Sequence, residues 1–453
     1  MIATFRSALA QARRHGDLYF VALVDQETIS AALGEASLLW QGWIYTPAVT
    51  VWVFLSQCLS ADHSCRDAVA RLAAWRTAHG LSPCSPETGG YCTAREALPE
   101  SACRELVRHT GRELEEQAPR EWLWQGRRVR VVDGSTITMP DTPENQAEYP
   151  QAKSQKPGCG LPIARVLVVF SLAVGTVIGA AIGAYAGKQT GENSLFRALH
   201  HTLSEEDVVL ADRYFSGWFD IALLVQRRVD VVVHKHQLRA SDFRTGQRLG
   251  KDDHLVRLAK PQRPDWMSAE LYEALPAELT LREVRVQVKQ RGFRTRALVI
   301  VTTLLDHEAF PAREIAGLYR RRWQAELNLR SLKIVLQMDH LRCKTPHRAR
   351  NEFQMHLLAY NLIRRVMALA AFQERVPPWQ ISFKAALQTL NNFLPSLVSS
   401  MPLEAGCQTF LSSVASHLVG NRPDRYEPRR IKRRPKSHDL LLRPRHEYKR
   451  LAA

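Results

Sequence analysis

Three acids stand where a carboxylate is costly to place. Asp133 follows the alternating run RRVRVV, Asp212 follows the apolar run DVVLA, and Glu326 sits inside YRRRWQAELNLRSLK with five cations, Arg320, Arg321, Arg322, Arg330 and Lys333. An acid at the end of an apolar strand lies half buried at a sheet rim, where it needs a cation to neutralise it. Three such acids brought together repel one another unless divalent metal stands between them. Hard oxygen donors select Mg²⁺, with Mn²⁺ as a substitute. A pair of such ions activates an attacking oxygen and stabilises a leaving one in phosphodiester displacement. The cations beside Glu326 would then grip a nucleic-acid backbone.

The spacing around Glu326 sharpens this reading. On a single helix opened by Pro311 and running to about residue 338, Tyr319, Arg322, Glu326 and Lys333 fall within about 60° of one another. They form one polar stripe. The plainer alternative is a surface ion pair between Arg322 and Glu326 at i, i+4. It leaves the crowd of cations and the aromatic pair Tyr319 and Trp323 unexplained. Two other acids near these stretches, Asp141 and Glu192, read as a turn residue and a helix cap.

Charge supports a polyanionic partner. The 453 residues carry a net charge of +17. Residues 311–350 hold ten Lys/Arg against three acids, and residues 421–453 hold twelve against four, so these two stretches account for +15. Hydrophobic content of 45% and charged content of 24% are those of an ordinary globular protein. None of the eight cysteines lies in a C-x-x-C pair. Five fall between 58 and 103 with His63 nearby, so zinc is conceivable, but irregular spacing favours reduced thiols in a cytoplasmic protein. The opening MIATFRSALAQARRHG reads as a charged helix rather than a secretory signal. A cytoplasmic, nucleoid-associated protein is expected.

The elements that must position the acids follow from periodicity. Residues 1–125 read as helical: Ser64-x-x-Asp67 and Thr93-x-x-Glu96 have the capping-box pattern, and Pro99 opens a further helix. Residues 127–136 read as a strand ending around Asp133. The uncharged stretch 166–187 has glycines at 175, 179, 183 and 187 and the length of a membrane span. Its early β-branched cluster and Gly175 favour two strands, 164–172 and 176–186, instead. A helix over 191–203, a strand over 207–215, a helix over 217–228 and a strand over 229–234 complete a mixed α/β sheet. Residues 235–278 read as polar and irregular, and 281–304 as a hairpin turning at Arg291-Gly292. Helices resume at 352–371 and beyond, before the basic tail.

With DGST at Asp133, ADRYF at Asp212 and Tyr319-x₂-Arg322-x₃-Glu326-x₆-Lys333, the chain resembles bacterial insertion-sequence DDE transposases, in particular their Y-R-E-K subgroup. The resemblance covers 127–371 firmly. It implies a ribonuclease-H-like core in two parts, 126–235 and 306–372, interrupted by a β-rich insertion at 236–305. A helical DNA-binding domain at 1–125 would precede it, and a helical, basic region at 373–453 would follow. It implies cut-and-paste transposition, with Asp133, Asp212 and Glu326 as ligands of Mg²⁺. Tyr319, Arg322 and Lys333, aided by Arg320 and Arg330, would contact the phosphates of double-stranded DNA at the element's ends. Trp266, in KPQRPDW, is a candidate to stack on a flipped base. A homodimer pairing two ends and the absence of any membrane role are implied as well. Two rivals remain: a metal-independent tyrosine recombinase, suggested by His347-x-x-Arg350 and Tyr360, and a DNA-binding relative without catalysis.

Overall fold

A computed structural model describes every residue except 16–19, 21, 38–39, 288–296, 400, 421–440 and 452–453. The expected turn at Arg291-Gly292 and the basic run PRRIKRRPK lie outside the described residues. The chain forms two compact units. One is helical and comprises Met1–Arg128, Val168–Ala180 and Gln324–Val419; the other is built on a sheet and comprises Val129–Leu167, Ala181–Trp323 and Gly420–Ala453.

The helical unit opens with α1 (Ile2–His15), α2 (Gln26–Leu33), α3 (Pro47–Leu59), α4 (Cys65–Ala78), α5 (Gly89–Glu96) and α6 (Glu100–Glu116). Ser64 caps α4 by accepting from the Asp67 amide at 3.1 Å, as the capping box requires. Thr93 does not repeat the device, because it lies inside α5.

The chain continues with β1 (Val129–Thr138), α7 (Pro143–Glu148), β2 (Ile163–Ser171), β3 (Val177–Ala184), α8 (Glu192–Leu199), β4 (Val208–Ala211), α9 (Trp218–Gln226) and β5 (Asp230–His234), of which the end of β2 and the start of β3 fall in the helical unit and the rest in the sheet unit. Then come β6 (Gln247–Gly250), β7 (Asp253–Ala259), α10 (Ala269–Glu273), β8 (Glu278–Gln287), β9 (Ala297–Thr302) and α11 (Ala312–Arg320). The nine strands form one mixed sheet in the order β3-β2-β1-β4-β5-β9-β8-β7-β6. Strands β1, β4 and β5 run parallel, while β9 pairs antiparallel with both β5 and β8. The β3-β2-β1-β4-β5 half has the order of the ribonuclease-H-like sheet that the motifs imply. Residues 235–278 are more ordered than their polarity suggests. Their strands β6 and β7 extend the far edge, where exposure removes the apolar alternation that marks an inner strand.

The uncharged stretch 166–187 is the β2–β3 hairpin, and no helix among the described residues is long and apolar enough to cross a membrane. Gly175 makes the turn at φ +76°, and a Cβ there would lie 2.7 Å from Cζ of Arg364. Both facts demand glycine.

The remaining α-helices are α12 (Trp323–Arg330), α13 (Pro346–Glu374), α14 (Phe383–Ser399), α15 (Leu403–Ala415) and α16 (Arg445–Leu451). The 29-residue α13 is buried almost all round and packs on α3, α6, α14 and α15, which makes it the core of the helical unit. Asn361 at its centre accepts from the Val177 amide at 2.7 Å and donates to the Val177 and Val107 carbonyls, while Tyr360 donates to the Gly175 carbonyl at 2.9 Å. The hairpin tip is thereby pinned by side chains that supply the backbone's missing partners.

The single helix expected from Pro311 to about 338 is interrupted. The amides of Arg321 and Arg322 bond back three residues, to Leu318 and Tyr319, which closes α11. After α12 the chain widens into a π-turn over Ser331–Val335. Tyr319 therefore lies in α11 and Arg322 in the turn that closes it, Glu326 in α12 and Lys333 in the π-turn, not on a single uninterrupted helix.

Candidate active site

Strand register brings the two aspartates together. In the β1–β4 pair, Val129 faces Val208 and Val131 faces Leu210. Asp133 and Asp212 each come two residues after the last of these pairs, Asp133 still within β1 and Asp212 just past the end of β4. In the β4–β5 pair, Ala211 faces Val233, so the next step sets Asp212 beside His234. Asp212 and His234 thus stand at the C-terminal ends of neighbouring parallel strands, where open α/β sheets bind ligands, and Asp133 stands on β1, the strand on the other side of β4. Asp133 lies within β1 rather than at its end, because β1 runs on to Thr138 while β4 stops at Ala211.

A buried ion pair ties the starts of these two strands. Arg130 Nε and Asp207 Oδ2 lie 2.8 Å apart, with side chains 2% and 0% exposed. Arg130 comes three residues before Asp133, and Asp207 comes five before Asp212, so the pair anchors both strands below the site. Asp212 itself accepts from the Tyr214 amide at 2.8 Å, capping the short turn Arg213–Phe215. Asp133 Oδ1 accepts from the Gly134 amide at 2.9 Å.

Sequence reasoning missed two neighbours. Glu192, read as a helix cap, is the first residue of α8, and Gly191 is the cap. Its carboxyl group lies against β1: a Cβ on Gly134 would come within 2.5 Å of Glu192 Cδ. Burial, helped by the charge of Asp212, raises its pKa, against the pull of Arg165 at 3.7 Å. The only sequence signal was an acid at a helix start, which capping explains equally well. His234 was the polar end of VDVVVH. Burial and the positive Arg213 and Arg322 lower its pKa, against the pull of Asp212.

Tyr319 and Arg322 belong to the same neighbourhood. The Tyr319 ring lies 6.2 Å from that of His234, centroid to centroid. Burial and the charge of Asp212 push the Tyr319 hydroxyl up to about 12, against a hydrogen bond with Arg322. Arg320 is exposed at the end of α11. Trp266 is stacked already: the Arg197 guanidinium lies 3.8 Å from its ring centroid and pairs with Asp220 at 2.7 Å. Asp141 accepts locally from Gln146 Nε2 at 2.7 Å.

Glu326 and Lys333 are placed by the helical unit. Glu326 stands half buried in the first turn of α12, Lys333 in the π-turn, and Arg330 is exposed. Asn328 of the same helix accepts from Arg364, whose Nε donates to the Tyr360 hydroxyl at 2.8 Å. Tyr360 is fully buried, and its hydroxyl is engaged by Arg364 and Gly175, so it is no exposed nucleophile. His347 and Arg350 are tied to Glu96 and Glu100.

The donor chemistry fits a hard divalent cation. Asp133 and Asp212 offer carboxylate oxygens from neighbouring strands, and water and phosphate oxygens commonly complete such a shell. Among the described residues, no three His, Cys, Asp or Glu side chains form a ready-made metal cluster, in the sheet or among the cysteines.

Comparisons with known proteins place the chain in a family. The transposase DDE domain family matches residues 124–362. The chain is 28% identical over 364 residues to the transposase InsG of insertion sequence element IS4 from Escherichia coli K12, covering 76% of each chain. It is 40% identical over 65 residues to the putative transposase InsL of element IS186A from the same organism, covering 14% of this chain and 18% of that one. A solved piggyBac transposase synaptic complex with hairpin DNA aligns over 90% of this chain and 87% of its own at 11% identity and a TM-score of 0.42, too distant to bear on fold or function.

Proposed function

Because the chain belongs to the transposase DDE domain family, we propose that it excises and inserts an insertion sequence by Mg²⁺-dependent DNA cleavage and strand transfer. It is a transposase, an enzyme that acts on DNA, and its family's chemistry uses a divalent metal. The single observation that supports the site assignment is the parallel β1–β4 register, whose last pair, Val131 and Leu210, comes two residues before Asp133 and Asp212. These two carboxylates would hold the metal, and Glu326 would complete the set. Bound there, the metal would lower the pKa of an attacking oxygen and neutralise charge on the phosphate.

The chain's own groups do the rest. Tyr319 keeps its proton and donates to a phosphate oxygen, and Arg322 beside it adds charge and a planar fork of donors. Lys333, Arg320 and Arg330 hold the backbone further out. Trp266 would serve a flipped base through its edge or its second face, since Arg197 covers one face. Two copies would join two double-stranded ends, and Mn²⁺ would replace Mg²⁺.

The test uses purified full-length protein with DNA spanning the boundaries of the element. Wild type should nick the ends in Mg²⁺ and stop in EDTA. Asp212→Asn should bind the same DNA within a few-fold yet lose about a hundredfold or more of its cleavage. Undiminished cleavage by Asp212→Asn would remove that residue from the site. Cleavage that persists in EDTA would remove the metal.

A further inference from the structure

Glu326 rides on a helix that cannot hold its own direction. Helix α12 has eight residues, below the length at which a helix is stable alone. It inherits no orientation from α11, because the chain turns at Arg321 and Arg322, and it passes directly into the π-turn over Ser331–Val335. Its buried face is made by Ala325, Asn328 and Leu329. The two apolar side chains pack without a preferred angle. Asn328, 5% exposed and polar, must meet a hydrogen-bond partner at one position.

That partner is Arg364 on α13, itself 7% exposed. Its Nη2 donates to Asn328 Oδ1, and its Nε donates to the Tyr360 hydroxyl at 2.8 Å. The Tyr360 hydroxyl donates in turn to the Gly175 carbonyl at 2.9 Å. Gly175 leaves the space that the guanidinium fills, since a Cβ there would lie 2.7 Å from Cζ. The rings of Tyr360 and Phe383 lie 5.3 Å and 5.8 Å from the same carbon. One planar fork thus joins α12, α13 and the hairpin turn, all within the helical unit. Its donors stand at fixed angles, which a flexible ammonium cannot reproduce. Asn328 follows Glu326 by two residues, about 200° around the helix, so the bond that holds the inward side sets the direction in which Glu326 leaves the other.

We propose that Arg364 is a positioning residue for the cleavage reaction: through Asn328 it holds α12 at the angle that Glu326 needs to complete the acidic set. It acts through Asn328 rather than by touching the reacting atoms. The assignment rests on the reading above, in which Glu326 joins Asp133 and Asp212 at the metal.

The test compares full-length variants by cleavage kinetics on DNA spanning the element's boundaries and by hydrogen exchange without metal. Asn328→Leu keeps the volume and offers no acceptor. Its rate at saturating DNA should fall about thirtyfold to a hundredfold, while the half-saturating DNA concentration stays within about threefold of wild type. The amides of 323–330 should exchange about tenfold faster or more. Asn328→Asp keeps the acceptor and should recover both properties to within a few-fold, whereas a mere packing role would favour leucine. Arg364→Met should match Asn328→Leu, and the double variant should lose no more than the worse single. A wild-type rate in Asn328→Leu, or equal losses in Asn328→Leu and Asn328→Asp, would overturn the proposal. Glu326→Gln separates its two layers. If that variant cleaves like wild type, the reading of Glu326 falls and the proposal with it. If it is inactive while Asn328→Leu cleaves normally, the positioning role alone falls. Should Arg364→Met fail to fold, the Asn328 comparison still decides.

Discussion

Asp207→Asn should loosen the catalytic strands from below. Arg130 and Asp207 are 2.8 Å apart with almost no exposed side-chain surface. Replacing the carboxylate takes the charged partner from a buried guanidinium, and removing one partner of such a pair costs up to about 3–5 kcal/mol. At about 1.4 kcal/mol per decade, the opening equilibrium of β1 and β4 should rise by up to roughly 10² to 10³·⁵. Hydrogen exchange read by mass spectrometry on peptides covering 129–138 and 207–212 would report it as a matching loss of protection. Cleavage should fall too, because the β1–β4 pairing comes two residues before Asp133 and Asp212. The double change Arg130→Met with Asp207→Leu removes both charges and should recover most of the protection. If the single variant exchanged within a few-fold of wild type, or the double variant proved no better than the single, the pair would not be the anchor described here.

Further outcomes follow from other parts of the molecule. His63 and His356 face each other in the helical unit, ring centroids 5.7 Å apart, and burial lowers them to about 4 and about 3. They fold neutral and charge more readily when unfolded, so stability should be level above about pH 6.5. As pH falls from there toward 3, it should drop by up to about 1.4 kcal/mol per unit per histidine; His200 and His234, also lowered by burial, add to the slope, and His356→Gln should remove one histidine's share of it in urea titrations across pH. Gly134→Ala would put its methyl 2.5 Å from Glu192 Cδ, the far end of a flexible side chain, so the carboxyl should swing aside and the melting temperature should change little, by less than about 1 kcal/mol in stability; a loss of several kcal/mol would mean that the carboxyl is held rigidly against β1. Deleting 421–453 removes a net +8 and should flatten the salt dependence of non-specific DNA binding; an unchanged slope would mean the tail stays off the backbone.

Much was legible because local chemistry carries it. VVLA followed by Asp212 is a buried strand ending in an acid, and VDVVVH repeats the pattern, because a short apolar run has to be covered on both faces. The hairpin at 163–184 could be told from a membrane span by its β-branched start and its turn glycine. The motifs around Asp133, Asp212 and Glu326 named the family before any strand was paired. Other features needed contacts between residues distant in the chain. Register is a relation between strands, so the placing of Asp133, Asp212 and His234 on neighbouring strands has no signature in any one of them. Glu192 looks like an ordinary first-turn acid until β1 is packed against it. The break at Arg321–Arg322 carries neither glycine nor proline, and helical periodicity reads straight through it. Arg364 drew no notice in the sequence, yet burial made it the cation that joins α12, α13 and the hairpin turn. Sequence alone determined which groups could do chemistry, because residue type and local period are properties of the chain. Tertiary structure decided which of them meet, because burial, register and charge compensation arise only between segments.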